Sequence, residues 1–114
     1  MMYTINHRFT SLNQYILAER THRHKAAKLK KAESYIAYLS LLNKPHITTP
    51  CRLRFTWYIK DKRTDADNIC FAKKYIIDGM VKAGLIENDS LRYIVGFQDE
   101  FVIDKNERVE IEVY

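Results

Sequence analysis

Two cysteines, two prolines and three glycines among 114 residues exclude several kinds of protein at once. Cys51 and Cys70 lack CxxC spacing and fall on predicted regular elements, so they read as buried thiols of a reducing compartment, not a disulfide framework. His7, His22, His24 and His46 show no zinc spacing with them. No apolar run approaches the roughly 18 residues needed to span a bilayer, so no membrane partner is expected. Without a leader-like start, the expected location is the cytoplasm. There is no P-loop, no GxGxxG and no Ser-His-Asp or Cys-His arrangement. Repeats, low-complexity tracts and linkers are also lacking. One domain over residues 1–114, with one core, is therefore expected.

Acidic residues are the scarcer charge. Nineteen Lys and Arg outnumber 14 Asp and Glu, giving a net charge of +5 and a pI near 9.2. Such a balance favours polyanions as partners and says nothing about fold. Arg20, Arg23, Lys25, Lys28, Lys30 and Lys31 place six cations in twelve residues with no acid among them. They form either a solvated helix face or a phosphate-contact patch. Lys62 and Arg63 add a second basic spot.

The element pattern is strand, helices, strand, helix, strand, strand. Met2 to Asn6 alternates weakly as a first strand. Ser11 to Glu19 predicts a short helix with Ser11 as N-cap. Thr21 to Leu42 predicts a long helix whose inward stripe is Leu29, Ala32, Ile36, Leu39 and Leu42. Cys51 to Lys60 has the clearest period of two, with Cys51, Leu53, Phe55, Trp57 and Ile59 on one face. Arg52 and Arg54, on the other face, could pair with Glu110 and Glu112 across the sheet. A helix is predicted over Asp67 to Ala83, with Ile69, Ala72, Ile76, Met80 and Ala83 inward and Gly84 as its C-terminal glycine. Arg92 to Ile103 and Arg108 to Tyr114 read as an antiparallel hairpin turning at Asp104 to Glu107. The expected class is α+β, a mixed, mainly antiparallel sheet with helices packed on it.

Within this basic chain lies Asp65-Ala66-Asp67-Asn68, at the entry to a predicted helix. Two carboxylates two residues apart share a side of extended chain. Magnesium is usually held by one or two carboxylates, with water and phosphate oxygens filling its other positions. The same residues are also ordinary helix caps and turn formers, as is Asp89 in Asn88-Asp89-Ser90. Lys74 lies seven residues after Asp67, two turns along one helix face, and could lean toward the acids. It could equally form an i,i+4 pair with Asp78. A helix from Ile69 to Ala83 would be about 22 Å long. The five residues Gly84 to Asn88 span at most roughly 17 Å. Asp89 is therefore expected toward the far end of that helix from Asp65 and Asp67. Two copies packed about a two-fold axis could complete the site between them.

The stretch Arg63-Thr64-Asp65-Ala66-Asp67-Asn68-Ile69, continuing through Lys73-Lys74-Tyr75-Ile76-Ile77-Asp78-Gly79, then Ala83-Gly84-Leu85-Ile86 and Asn88-Asp89, resembles the RusA family of Holliday junction resolvases. Ser11-Leu12-Asn13-Gln14-Tyr15 looks like that family's N-terminal signature. The resemblance implies a small, basic, homodimeric endonuclease, often phage-encoded, that acts on four-way DNA junctions with Mg2+ or a similar cation such as Mn2+. It implies metal-binding and catalytic roles for Asp65, Asp67 and Asp89. A catalytic lysine is implied too, here Lys74 with Lys73 in reserve. DNA contacts would come from Asn13, Arg20, Arg23, Lys25, Lys28, Lys30, Lys31, Lys62 and Arg63. Asn88 stands where an acidic residue often precedes the last aspartate. The alternatives are a non-catalytic basic DNA-binding dimer, or a nuclease of the same fold acting on flaps or forks.

Overall fold

A computed structural model describes residues 1–114. The strand predicted over Cys51 to Lys60 organises it. β2 (Cys51–Ile59) buries Cys51, Leu53, Phe55, Trp57 and Ile59, while the residues between them face outward. Alternation of this kind fixes strand register, because a one-residue slip would turn the apolar row to water. The four-stranded sheet has the order β1-β4-β2-β3, with β1 at Met2–Ile5, β3 at Ile94–Ile103 and β4 at Arg108–Val113. β4 pairs antiparallel with both β1 and β2, and β2 pairs parallel with β3.

That order corrects the predicted hairpin. β3 and β4 are consecutive in sequence, yet β2 lies between them. The chain from β2 to β3 is a βαβ crossover, and such a crossover returns the strand parallel beside its start. β4 then takes the opposite edge of β2. Half of the cross-strand pairing survives: Arg54 faces Glu112 in the register and pairs with it, while Arg52 forms no ion pair. Glu110 pairs instead with Arg108 and accepts from the Tyr58 hydroxyl.

Four helices complete the domain: α1 (Leu12–Thr21), α2 (Arg23–Leu41), α3 (Ala66–Cys70) and α4 (Lys73–Lys82). Ser11 caps α1 in a reciprocal box with Gln14, as its sequence position predicts. The predicted stripe of α2 is displaced. Ala26, Glu33, Ala37 and Leu41 are buried, whereas Ala32 and Leu39 are exposed. Glu33 causes the displacement. Its carboxylate accepts from Thr10 Oγ1 at 2.5 Å and meets His7 Nε2 at 2.8 Å, so a charged residue occupies the packed face.

The single helix predicted over Asp67 to Ala83 is two helices. Hydrogen bonds shorten to three-residue spacing at Ala72, Lys74 and Tyr75, and the axis breaks there. Phe71 sits at the break, its ring 5.6 Å from both Tyr15 and Tyr75. The predicted inward residues Ile69, Ala72, Ile76 and Met80 are buried nonetheless. Gly79 is where α4 meets α2: a Cβ there would lie 2.7 Å from Ala37 Cβ. Gly84 has φ +78°, the left-handed turn that ends the helix.

Candidate active site

The loop after β2 runs into α3 and presents the acidic pair. Asp65 occupies the N-cap position of α3 with extended backbone, but its side chain makes no capping hydrogen bond. Its carbonyl oxygen, not its carboxylate, receives the N–H groups of Asn68 and Ile69 at 3.1 and 3.2 Å. Asp67 Oδ1 accepts only from the neighbouring Asn68 N–H, at 2.9 Å. Both carboxylates are exposed. Capping, which would account for these residue types, does not account for Asp65.

Asn68 is what ties the pair to the rest of the fold. It is buried, and its Oδ1 accepts from the Asn13 N–H at 2.9 Å. The start of α1 is thereby fixed beside the start of α3. Together they form a groove of about 330 Å3 with no apolar lining residue, bounded by Arg8, Asn13, Gln14, Arg63, Asp65 and Asn68 among others. Arg8 donates to Thr64 Oγ1 at 3.2 Å and also pairs with Glu107. Sequence reasoning missed Arg8. Its partners lie 56 and 99 residues away, so no local spacing marks it.

Asp89 is elsewhere. It lines a separate groove with Asp78, Val81, Lys82 and Asn88, alongside α4. Lys74 Nζ lies 3.3 Å from Asp78 and 3.9 Å from Asp89. Lys74 therefore meets one of the three predicted acids, Asp89, and forms the expected i,i+4 pair with Asp78. The break before α4 removes the continuous helix face that would have aimed it at Asp67. Lys73, the reserve candidate, lies half-buried in a polar cluster of its own. It pairs with Asp99, which also accepts from Trp57 Nε1 at 2.9 Å. That cluster also went unseen in the sequence, although a tryptophan on a buried strand face does call for an acceptor.

Within one chain no group of three or more His, Cys, Asp or Glu side chains is placed to hold a metal ion. Asp65 and Asp67 remain a set that suits a hard cation completed by water and phosphate oxygen.

The cations of α1 and α2 are free. Arg20, Arg23, Lys25, Lys28 and Lys31 are exposed, and none of them forms an ion pair. At 100° per residue, Lys25, Lys28 and Lys31 step along the face of α2 opposite Ala26, Glu33 and Ala37. Lys30 falls on the packed side and is half-buried. Lys62 is exposed and unpaired, and Arg63 stands 4.0 Å from Asp61.

A mixed α+β scaffold with exposed carboxylates at one loop and unpaired cations along α1 and α2 has the charge distribution of proteins that handle polyanions. The family model for Endodeoxyribonuclease RusA matches residues 4–114, and the chain belongs to this family of endodeoxyribonucleases that resolve Holliday junctions. Nucleases of this type are generally metal-dependent. No curated protein matches the chain. No helix is long and apolar enough to cross a membrane.

Proposed function

We propose that this chain is a Mg2+-dependent, structure-selective endonuclease that cuts four-way DNA junctions during recombination and repair, working in the cytoplasm as a homodimer and encoded by a phage. The observation that carries the reading is Asp65, an N-cap aspartate whose carboxylate is left uncommitted in a polar, arginine-flanked groove.

Asp65 and Asp67 would hold the cation, Mg2+ with Mn2+ as a substitute. When bound, such an ion offsets charge on the attacked phosphate and acidifies a water. The chain's own residues supply the rest. Arg8 and Arg63 border the groove and would neutralise the phosphates entering it. Lys25, Lys28 and Lys31 form a cationic edge along α2 for a junction arm, with Arg20 and Arg23 at its root. Lys62, exposed in the loop after β2, would add a separate phosphate contact. Asn68 holds the α1 start, and with it Asn13, against the acidic loop.

Asp89 enters through a second copy. It lies apart from the pair in its own chain, beside Lys74. A two-fold axis that brings Asp89 and Lys74 of one subunit to Asp65 and Asp67 of the other gives two equivalent centres, one for each strand to be cut.

The reading is tested with a synthetic four-way junction and a matched linear duplex, each with and without Mg2+. Cutting of the junction alone, and only with the cation, is the expected result. Preferential cutting of flaps or forks would reassign the substrate, and cutting unaffected by chelation would reject the metal.

A further inference from the structure

Residues 7–11 link β1 to α1 with little backbone support. The only backbone-to-backbone hydrogen bond that they donate runs from His7 N–H to the Ile5 carbonyl, at 3.0 Å. Side chains hold the segment instead. His7 Nε2 lies 2.8 Å from Glu33 Oε2, and Thr10 Oγ1 donates to Glu33 Oε1 at 2.5 Å. Between those two residues, Phe9 is buried against Tyr75, the ring centres 6.2 Å apart. Arg8 reaches the acidic loop, where it donates to Thr64 Oγ1 at 3.2 Å. Thr64 directly precedes Asp65, and Arg8 and Asp65 line one groove.

Glu33 is the unexpected member of this arrangement. It is 7% exposed, on the face of α2 that carries Ala26, Ala37 and Leu41 inward. An apolar side chain would fill that place with no charge to desolvate, and a buried carboxylate is a weak source of stability even when paired. What the carboxylate has and an apolar residue lacks is direction. Its two oxygens take two partners, His7 and Thr10, from one irregular segment. Three residues span at most roughly 10 Å, so holding both ends leaves the backbone of Arg8 little freedom.

We propose that Glu33 is a positioning residue for the cutting reaction: through His7 and Thr10 it pins the segment that presents Arg8 to the acidic groove. Glu33 itself bonds to neither Arg8 nor Asp65. Arg8 has a second partner, Glu107, in the turn between β3 and β4. Without Glu33 the guanidinium keeps Glu107 but loses the fixed backbone that sets it against Thr64. The inference rests on the reading of this groove as the place of cutting, and it names a residue outside the groove on which that geometry depends.

Two readouts on the full chain test it, one of them independent of cutting. The Arg8 Nε–H signal in a proton–nitrogen correlation spectrum, assigned by its loss in Arg8→Lys, is expected apart from those of solvent-exposed arginines. Glu33→Ala should move it among them. Glu33→Gln, whose amide can accept from Thr10 and donate to His7, should restore it. Cutting of a four-way junction, measured well below each variant's melting temperature, should fall by about tenfold or more in Glu33→Ala. The loss should lie in turnover and not in junction affinity, because small displacements at a reacting centre are costly. Glu33→Gln should recover most of it. Adding Glu33→Ala to Arg8→Ala should lower cutting no further than Arg8→Ala alone. Leu41→Ala, a core truncation on the same helix, controls for stability, and its small effect should multiply with that of Arg8→Ala. Thr10→Val, which removes one of the two bonds, replaces Glu33→Ala if that variant does not fold. An unmoved Arg8 signal, or losses for Glu33→Ala and Arg8→Ala that multiply, would overturn the proposal. A signal that moves as expected in a chain that cuts no four-way junction would overturn the junction reading and leave the hold of Glu33 on Arg8 standing.

Discussion

The outer face of the sheet and the α1–α3 end of the molecule are both rich in charge, but they use it differently. On the sheet, Arg54 pairs with Glu112 and stacks over Tyr114, its guanidinium carbon 4.5 Å from the ring centre. Arg108 lies 3.5 Å from Asp104, 3.4 Å from Glu110 and 3.7 Å from the centre of the Tyr58 ring. Glu110 holds the Tyr58 hydroxyl and raises its pKa through that hydrogen bond. At the other end, six cations and two carboxylates have no side-chain ion partner. A charge committed to a neighbour serves the fold. A charge left without one is free to bind something else.

That contrast can be broken most sharply at the acids. Asp67→Asn keeps an acceptor for the Asn68 N–H, so the fold should hold. Junction cutting should fall by on the order of 10²–10³-fold, because a neutral amide is a poor ligand for a hard cation. Binding in a gel-shift assay should hold or tighten. Near wild-type cutting in Mg2+ would move the site elsewhere.

The free cations come next. Changing Lys25, Lys28 and Lys31 together to Gln should weaken binding to all DNA and lower the slope of log affinity against log salt by roughly 0.9 per lost phosphate contact. Melting temperature should hardly move. Replacing the paired Arg54 by Ala is the counter-experiment. It should leave that slope unchanged and alter stability by about 1 kcal/mol or less, since Arg54 and Glu112 are both about one-third exposed.

Buried polar groups give the smaller, structural effects. Glu33→Ala removes the partner of His7 and Thr10, and should cost about 2–4 kcal/mol in urea unfolding. Tyr75 points the other way. Its hydroxyl is buried without a hydrogen-bond partner, and burial, with Glu33 nearby, pushes its pKa up to about 12. Tyr75→Phe discards that unmet hydroxyl and should be neutral or stabilise by about 1 kcal/mol.

What could be read from the chain follows the range of the interactions concerned. β2 was legible because alternation over nine residues is a local pattern. So were the Ser11 cap and the Gly84 stop, which depend on residues within one turn. The acidic loop was legible as a place but not as a role, because capping and metal binding select the same residue types. The structure adds only that the Asp65 side chain makes no capping hydrogen bond. The displaced face of α2 was not legible, since Glu33 is buried by His7 and Thr10, more than twenty residues away. Nor was the break at Phe71 and Ala72, which has no glycine or proline and is set by packing among Tyr15, Phe71 and Tyr75. The hairpin error has the same origin. Asp104 to Glu107 turns as expected, but the strands it joins flank β2, a choice made by the βαβ crossover.

Subunit mixing tests the central claim most directly. Asp67→Asn and Asp89→Asn proteins, each expected to cut far more slowly than wild type alone, are combined under conditions where subunit exchange is confirmed by mass. In a site built from two chains, one centre of each mixed dimer has Asp65, Asp67 and Asp89 intact, so nicking of one strand of a four-way junction returns. If the mixed dimers form and no nicking appears, each chain carries its own site and the two-copy account is wrong.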